Sequence, residues 1–259
     1  DASSPAGEGA DAASPEGGEA GSKAAGEAAD AADDPAERAA GDEPAQQGVL
    51  YPFGKLMASG YVYACDERGD LTKPVDENDP ERNAISAREV ANLIVDYHVA
   101  DIPEGLCEGS TSLTSVRFEN DRLDSIGDSA FAGCARLSFI SFSDMHIGSI
   151  GARAFAGCSL LTSLFIKKPA EIGALGEGCF QNSGLESTGL GNVKGLTSIP
   201  ADAYEGCQNL SDTGLGQNQQ IASVGNWAFA NCPNLHLTGL ETNTSVSQLG
   251  EGVLLQVEP

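Results

Sequence analysis

The first 48 residues contain no Val, Ile, Leu, Met, Phe, Tyr, Trp or Cys. A stretch without those side chains has little to bury against the entropy of ordering its backbone. Residues 1–48 are therefore expected to form a disordered linker rich in Ala, Gly, Pro and acids. Basic residues are scarce as well. Twelve acids there face only Lys23 and Arg38, a net −10 of the −24 carried by the 259-residue chain. That balance argues against nucleic acid and anionic membrane surfaces as partners. No run of 18 apolar residues occurs, so no transmembrane helix is expected and the fragment should not insert into a membrane.

The chemistry of an active site is also missing. The three histidines, His98, His146 and His236, stand apart from one another, and none has a Cys or carboxylate at ligand spacing. There is no Gly-x-Ser-x-Gly, phosphate loop or dinucleotide fingerprint. Asp76-Glu-Asn-Asp-Pro80 is acidic but lacks the spaced ligands and closing Glu of a calcium loop. No metal, no cofactor and no enzymatic activity are expected.

What the chain does have is repetition. Ile126-Gly-Asp-Ser-Ala-Phe-Ala-Gly-Cys-Ala-Arg-Leu137 returns as Ile150–Leu161, Ile199–Leu210 and Val224–Leu235. Weaker copies span Ile102–Leu113, with Cys107 in the Phe slot, and Leu175–Leu185, with Phe180. A seventh opens at Leu249. In five copies the opening apolar residue precedes an anchor Leu by 11 positions; only 175→185 is one shorter. A further apolar slot follows five residues on: Phe118, Phe142, Ile166, Leu190, Leu215 and Leu240. The next is Leu123, Ile147, Ile172, Leu196, Ile221 or Val246, after a loop step of five or six residues. A fixed period of this size means a solenoid whose stacked copies share one core, and variable length belongs in its loops.

Residues 49–98 differ in character and are expected to cap the first repeat. Val49–Phe53 and Gly60–Cys65 are β-branched and aromatic runs, read as a small hairpin. Ser86-Ala-Arg-Glu89 is a capping box, read as opening a short helix with Val90, Leu93 and Ile94 on one face. Four of the seven cysteines (Cys134, Cys158, Cys207, Cys232) occupy one repeat slot. Stacked strands ~4.8 Å apart would allow either buried free thiols or bridges, the parallel side-chain directions favouring thiols.

Leu113-Thr-Ser-Val-Arg-Phe118, followed by Leu123–Leu137, resembles the leucine-rich repeat of the BspA type. Its pattern is Leu-x-x-Leu-x-Ile, a loop, then Ile-Gly-x-x-Ala-Phe-x-x-Cys-x-x-Leu. Residues 99–255 fit it, within a repeat region of 99–259, whereas the linker and cap lie outside. Cys107, Cys179, Tyr204, Ser110 and Ser183 depart from it. Thr188-Gly-Leu190, Thr213-Gly-Leu215 and Thr238-Gly-Leu240 place Thr where the motif has Leu, implying either a shifted strand or a threonine ladder. The resemblance implies a curved leucine-rich repeat solenoid, with short parallel β-strands on the concave side and short helical or 3-10 turns. The expected fold class is that repeat solenoid, preceded by a small α+β cap and a disordered acidic tail.

The family's members are bacterial surface proteins and adhesins. The resemblance therefore implies a secreted or cell-surface location and a protein or glycan ligand, such as a host-matrix protein. The alternative is a structural spacer that holds another domain away from the cell wall. Outward positions on the sheet face read Ser115/Arg117, Phe139/Ser141 and Ser163/Phe165, then Asp212 and Leu237 in later copies. Phe139 and Phe165 would be exposed on neighbouring strands beside a Gly ladder, the best candidate patch; a shifted register would bury them. No amphipathic segment follows copy seven to shield its interior. Fraying or weak self-association through that repeat is expected, with the natural chain continuing further.

Overall fold

Alternation between buried and half-exposed residues after each anchor leucine calls for strand rather than helix, and the chain follows it. In the computed structural model the described residues are Met57, 60–63, Asp79, 82–95, Tyr97 and 99–257, all within the unit Pro44–Pro259. The linker reading of 1–48, the strand at Val49–Phe53 and the acidic loop apart from Asp79 lie outside the described residues, as do His98 and Cys65. The strands are β1 (Tyr61–Tyr63), β2 (Ala84–Ser86), β3 (Asn92–Val95), β4 (Asp101–Ile102), β5 (Ser115–Phe118), β6 (Arg122–Ile126) and β7 (Phe139–Ile140). They continue as β8 (His146–Ile150), β9 (Ala170–Leu175), β10 (Val193–Lys194), β11 (Ser198–Ile199), β12 (Ser223–Val224) and β13 (Gln248–Leu249).

The architecture is a parallel-strand solenoid. Each copy offers two strand positions rather than one. After the anchor leucine, β3, β5 and β7 pair in the order β3-β5-β7, with Leu93 opposite Val116 and Val116 opposite Ile140. Later in each copy a longer ladder forms, β10-β9-β8-β6-β4, aligning Ile102, Ile126, Ile150 and Leu175. It is succeeded by β11-β12-β13, aligning Ile199, Val224 and Leu249. The two ladders change over at Pro200. Gly151, Gly176, Gly225 and Gly250 each donate a backbone N–H to the opening residue of the preceding copy, and proline has none to give.

One expectation for residues 49–98 is corrected. β1 forms within the expected Gly60–Cys65 run and pairs antiparallel with β2, with Val62 opposite Ile85, while its expected hairpin partner Val49–Phe53 lies outside the described residues. The helix from Ser86 does not form. Ser86 ends β2, residues 87–89 turn, and Asn92–Val95 joins the parallel ladder of the repeats. Leu93 and Val95 are buried while Asn92 and Ile94 are half-buried, a period of two. Val95 breaks the helical spacing, and β-branched Ile and Val favour the pleated surface.

The Ala-Phe-x-Gly-Cys block is not helical either; it is a run of hydrogen-bonded turns. Alternate N–H groups point along the solenoid axis, while those between them close turns three residues back, as from Ala154 to Gly151 O. Phe131 N–H donates to Ala154 O, Phe155 to Cys179 O, Phe180 to Ala203 O, Tyr204 to Ala228 O and Phe229 to Val253 O. Parallel rows start from Ser129, Arg153 and Gly178, and from Gly133, Gly157 and Asn182. To aim them this way two residues per copy take left-handed backbone, for example Arg153 (φ 55°) and Gly157 (φ 73°). A continuous helix forbids that geometry. Leu190–Asn192 does form a short 3-10 turn.

Inside the turns the aromatic slot becomes a column. Phe131, Phe155, Phe180, Tyr204 and Phe229 are all buried and stack at 5.2–5.4 Å between ring centres. Interplanar angles are 6–14°. Phe142 meets Phe155 edge-on at 6.1 Å. The Thr copies keep their register through a threonine ladder. Ser187, Asp212 and Leu237 pair in parallel. The Thr188 and Thr213 hydroxyls donate to the carbonyls of Thr213 and Thr238, and each accepts the N–H two residues on. Asn218 and Asn243 add a buried amide ladder; Asn218 Nδ2 donates to Leu190 O and Val193 O.

The cysteine slot holds free, buried thiols, each satisfying a carbonyl of an earlier copy. Cys134 Sγ donates to Cys107 O at 3.1 Å, and Cys158, Cys207 and Cys232 do the same to Phe131, Phe180 and Tyr204 at 3.2 Å. Burial pushes Cys134 and Cys207 up to about 11 and Cys107 and Cys232 to about 12, from an ordinary 9.0. It drives Cys158 and Cys179 higher still. An unfolded thiol loses its proton near pH 9 while the folded one keeps it. The stability contribution is complete below pH 9 and is lost as pH rises through 11–12. We expect denaturant midpoints to fall above pH 9 and the six thiols to resist alkylation at pH 8 until the chain unfolds. Rapid labelling of Cys158 in the folded protein would contradict this packing.

Candidate ligand-binding face

Ser115, Arg117, Phe139, Ser141, Ser163 and Phe165 gather on one face of the first three repeats, after the anchor leucines. Ser115 stands opposite Phe139 in the β5–β7 ladder, and Arg117 follows on the same face of β5. Asp212 and Leu237 belong to the same row of outward positions, but three and four copies from Phe139. At ~4.8 Å per strand that places them roughly 14 and 19 Å away. Asp212 is committed to its own turn, its Oδ1 accepting Gly214 N–H at 2.8 Å. Leu237 is 52% exposed, one of several scattered apolar side chains such as Tyr97 and Leu160, which are ordinary on a protein surface.

Phe139 and Phe165 differ from those. Both are half-buried, with ring centres 5.4 Å apart and a 53° tilt. Phe139 lies in β7, but Phe165 lies in no strand. The ladder of paired strands stops at Ile140 and resumes at Ser187 opposite Asp212. At Phe165 the backbone turns left-handed, with φ 48°, a conformation rare for a bulky residue. Local hydroxyls hold it there. Ser163 Oγ accepts Phe165 N–H at 3.0 Å, and the Phe165 carbonyl accepts from Ser141 Oγ at 3.3 Å and Ser143 Oγ at 2.8 Å. Ser141 and Ser163 therefore act on Phe165. Ser115 likewise spends its hydroxyl on Asn92 Oδ1 at 2.6 Å.

Lys167 completes the site, and it has no counterpart in the repeat pattern. Its Nζ lies 4.7 Å from the centre of the Phe165 ring, a cation–π distance. Its N–H donates to Ser143 Oγ at 2.8 Å. Arg117 carries a 3.5 Å ion pair to Glu119. A groove of about 410 Å³ is lined by loop residues of the first four copies, Arg122, Asp144, His146, Glu171 and Lys194 among others. His146 meets Glu171 at 3.2 Å and Lys168 meets Asp144 at 3.5 Å. Among the described residues no cluster of three His, Cys, Asp or Glu could hold a metal, and no helix is long and apolar enough to cross a membrane.

The family profile described as BspA type Leucine rich repeat region matches in six copies, over residues 81–211 and 174–257. No curated protein matches. Among solved structures, a leucine rich cell surface protein from Faecalibacterium prausnitzii A2-165 is similar at 16% identity. It covers 65% of this chain and 72% of that one, with a TM-score of 0.26. A leucine-rich repeat protein from Bacteroides ovatus ATCC 8483 is similar at 12% identity, over 67% and 81% of the two chains, with a TM-score of 0.20.

Proposed function

The chain belongs to the BspA-type leucine-rich repeat family, and from that premise we propose that it is a non-enzymatic binding module of a secreted or cell-surface bacterial protein. Its ligand is an extracellular protein or glycan, taken on the face that carries Phe139 and Phe165. One observation carries this reading: a phenylalanine in left-handed backbone interrupts the ladder and packs its ring, half exposed, against a second phenylalanine. A residue in that region costs of the order of 1–3 kcal/mol, and such strain gathers at functional sites. The left-handed residues of the turns recur in every copy, whereas Phe165 stands outside that pattern.

The test is a binding screen of the full chain against immobilised matrix proteins and glycans, repeated with the Phe139→Ser/Phe165→Ser double variant. Loss of a buried aromatic anchor is expected to weaken capture by roughly tenfold or more. The thermal midpoint should hold, because neither ring belongs to the central column. Undiminished binding by the double variant would move the site elsewhere. A wild-type chain that captures nothing would favour the structural spacer.

A further inference from the structure

Negative charge is distributed unevenly along this chain. Residues 1–48 carry −10, residues 49–112 and 174–259 carry −7 each, and residues 113–173 carry six Lys or Arg against six Asp or Glu, a net of zero. The neutral segment is the one that presents the aromatic pair. Two of its cations lie at the rings. Lys167 sits over Phe165, and Arg117 shares the outward face of the β5–β7 ladder with Phe139. A separate groove in the same copies mixes both signs, Arg122, His146 and Lys194 with Asp121, Asp144 and Glu171, and so repels an acidic ligand less than the acidic remainder of the chain does. An acidic ligand approaching elsewhere meets like charge; here it meets balanced charge, with Lys167 exposed and Arg117 half-buried beside Glu119. Repulsion over the rest of the surface and admission at one place select the partner by charge.

Resting on the reading of this face as a binding site, we infer that its partner is an acidic protein segment, in which carboxylates flank an apolar side chain. The apolar side chain packs on Phe139 and Phe165. The carboxylates face Arg117 and Lys167, where a desolvated aromatic surface strengthens each charge pair. Rings bordered by Arg and Lys form the anchor chemistry of protein–protein contacts, in which aromatic and guanidinium groups contribute most.

The experiment is fluorescence polarisation with the full chain and three short labelled peptides: alternating Glu and Leu, alternating Lys and Leu, and all Glu. The Glu/Leu peptide should bind most tightly and weaken several-fold between about 50 and about 300 mM salt, as screening predicts. Lys167→Glu and Arg117→Glu should each lower its affinity by roughly tenfold, and Phe139→Ser by a similar factor. The lysine exchange leaves the packing of the repeats untouched, so it stays informative if a phenylalanine variant folds poorly. Equal binding of the Lys/Leu peptide overturns the charge assignment, and equal binding of the all-Glu peptide overturns the role of the rings. If no peptide binds while a neutral glycan is captured through Phe165, this inference fails and the proposed function stands. If neither peptides nor surface ligands respond to Phe139 and Phe165, both fail.

Discussion

Phe155→Ala should cost about 3–5 kcal/mol, the range for deleting a buried ring, and the loss should be felt beyond its own copy. Phe155 is completely buried and stacks between Phe131 at 5.2 Å and Phe180 at 5.4 Å, with Phe142 edge-on. Removing it leaves two rings facing a void too well braced to collapse, because the backbone on either side is pinned by N–H groups donated between copies. Nearest-neighbour coupling then carries the damage along the array. Urea denaturation should show a lower midpoint, and hydrogen exchange should show faster opening at Phe131 and Phe180 as well as at residue 155. A loss under about 1 kcal/mol would be incompatible with a load shared along the column.

Gly176→Ala is expected to be at least as damaging, although it adds a single methyl group. A Cβ at 176 would lie 2.3 Å from Ala152 N and 2.5 Å from Gly151 C, both backbone atoms of the preceding copy. Neither can rotate away. The same approach recurs at Gly127, Gly151, Gly225 and Gly250, with nearest backbone distances of 2.4–2.6 Å. Relief requires two copies to move apart, which would break the N–H bond from Gly176 to Ile150 and the turn bonds beside it. We expect more than about 3 kcal/mol of destabilisation or failure to fold, measured by thermal unfolding against Gly191→Ala. At Gly191 an added Cβ would meet no backbone atom, its nearest neighbour being Gln217 Cβ at 3.3 Å. A stable, fully folded Gly176→Ala protein would rule out this close contact between copies.

The repeat frame was legible in the sequence because its apolar slots never slip. Leu113, Leu137, Leu161 and Phe131, Phe155, Phe180 are buried where the period puts them. The direction of the hydrogen bonds was less legible. Ala-Phe-x-Gly-Cys has the composition of a short helix, and only the left-handed backbone at Ser129, Arg153 or Asp202, none of them glycine, shows that it is not one. Val90, Leu93 and Ile94 fit a helical face as well as Leu93 and Val95 fit a strand. Pairing of β3 with β5, which no local pattern encodes, decided between them.

The candidate face was half legible. Outward positions follow from alternation at Ser115 and Phe139, which pair across β5 and β7, whereas Phe165 sits in left-handed backbone outside any strand. Alternation does not tell that the Ser141 and Ser163 hydroxyls bond the Phe165 backbone. Lys167 falls in a loop, where the period is silent. The balanced charge of residues 113–173 is a signal that counting alone would have exposed.

The rows of N–H groups donated from one copy to the next also bear on how such a chain can change over generations. Phe131 gives its hydrogen bond to Ala154 in the same way that Phe155 gives its own to Cys179. Excising one whole copy, or duplicating it by unequal recombination, would rejoin chemically equivalent partners across the cut. Copy number is therefore cheap to alter, while a shift of one residue inside the turns is not. Length drifts most readily in whole steps or in the outer loop, where five- and six-residue versions already coexist in this molecule, and the single residue missing before Leu185 is the exception. The aromatic pair, unique to one place in the array, marks an address that such drift would slide along the solenoid without erasing.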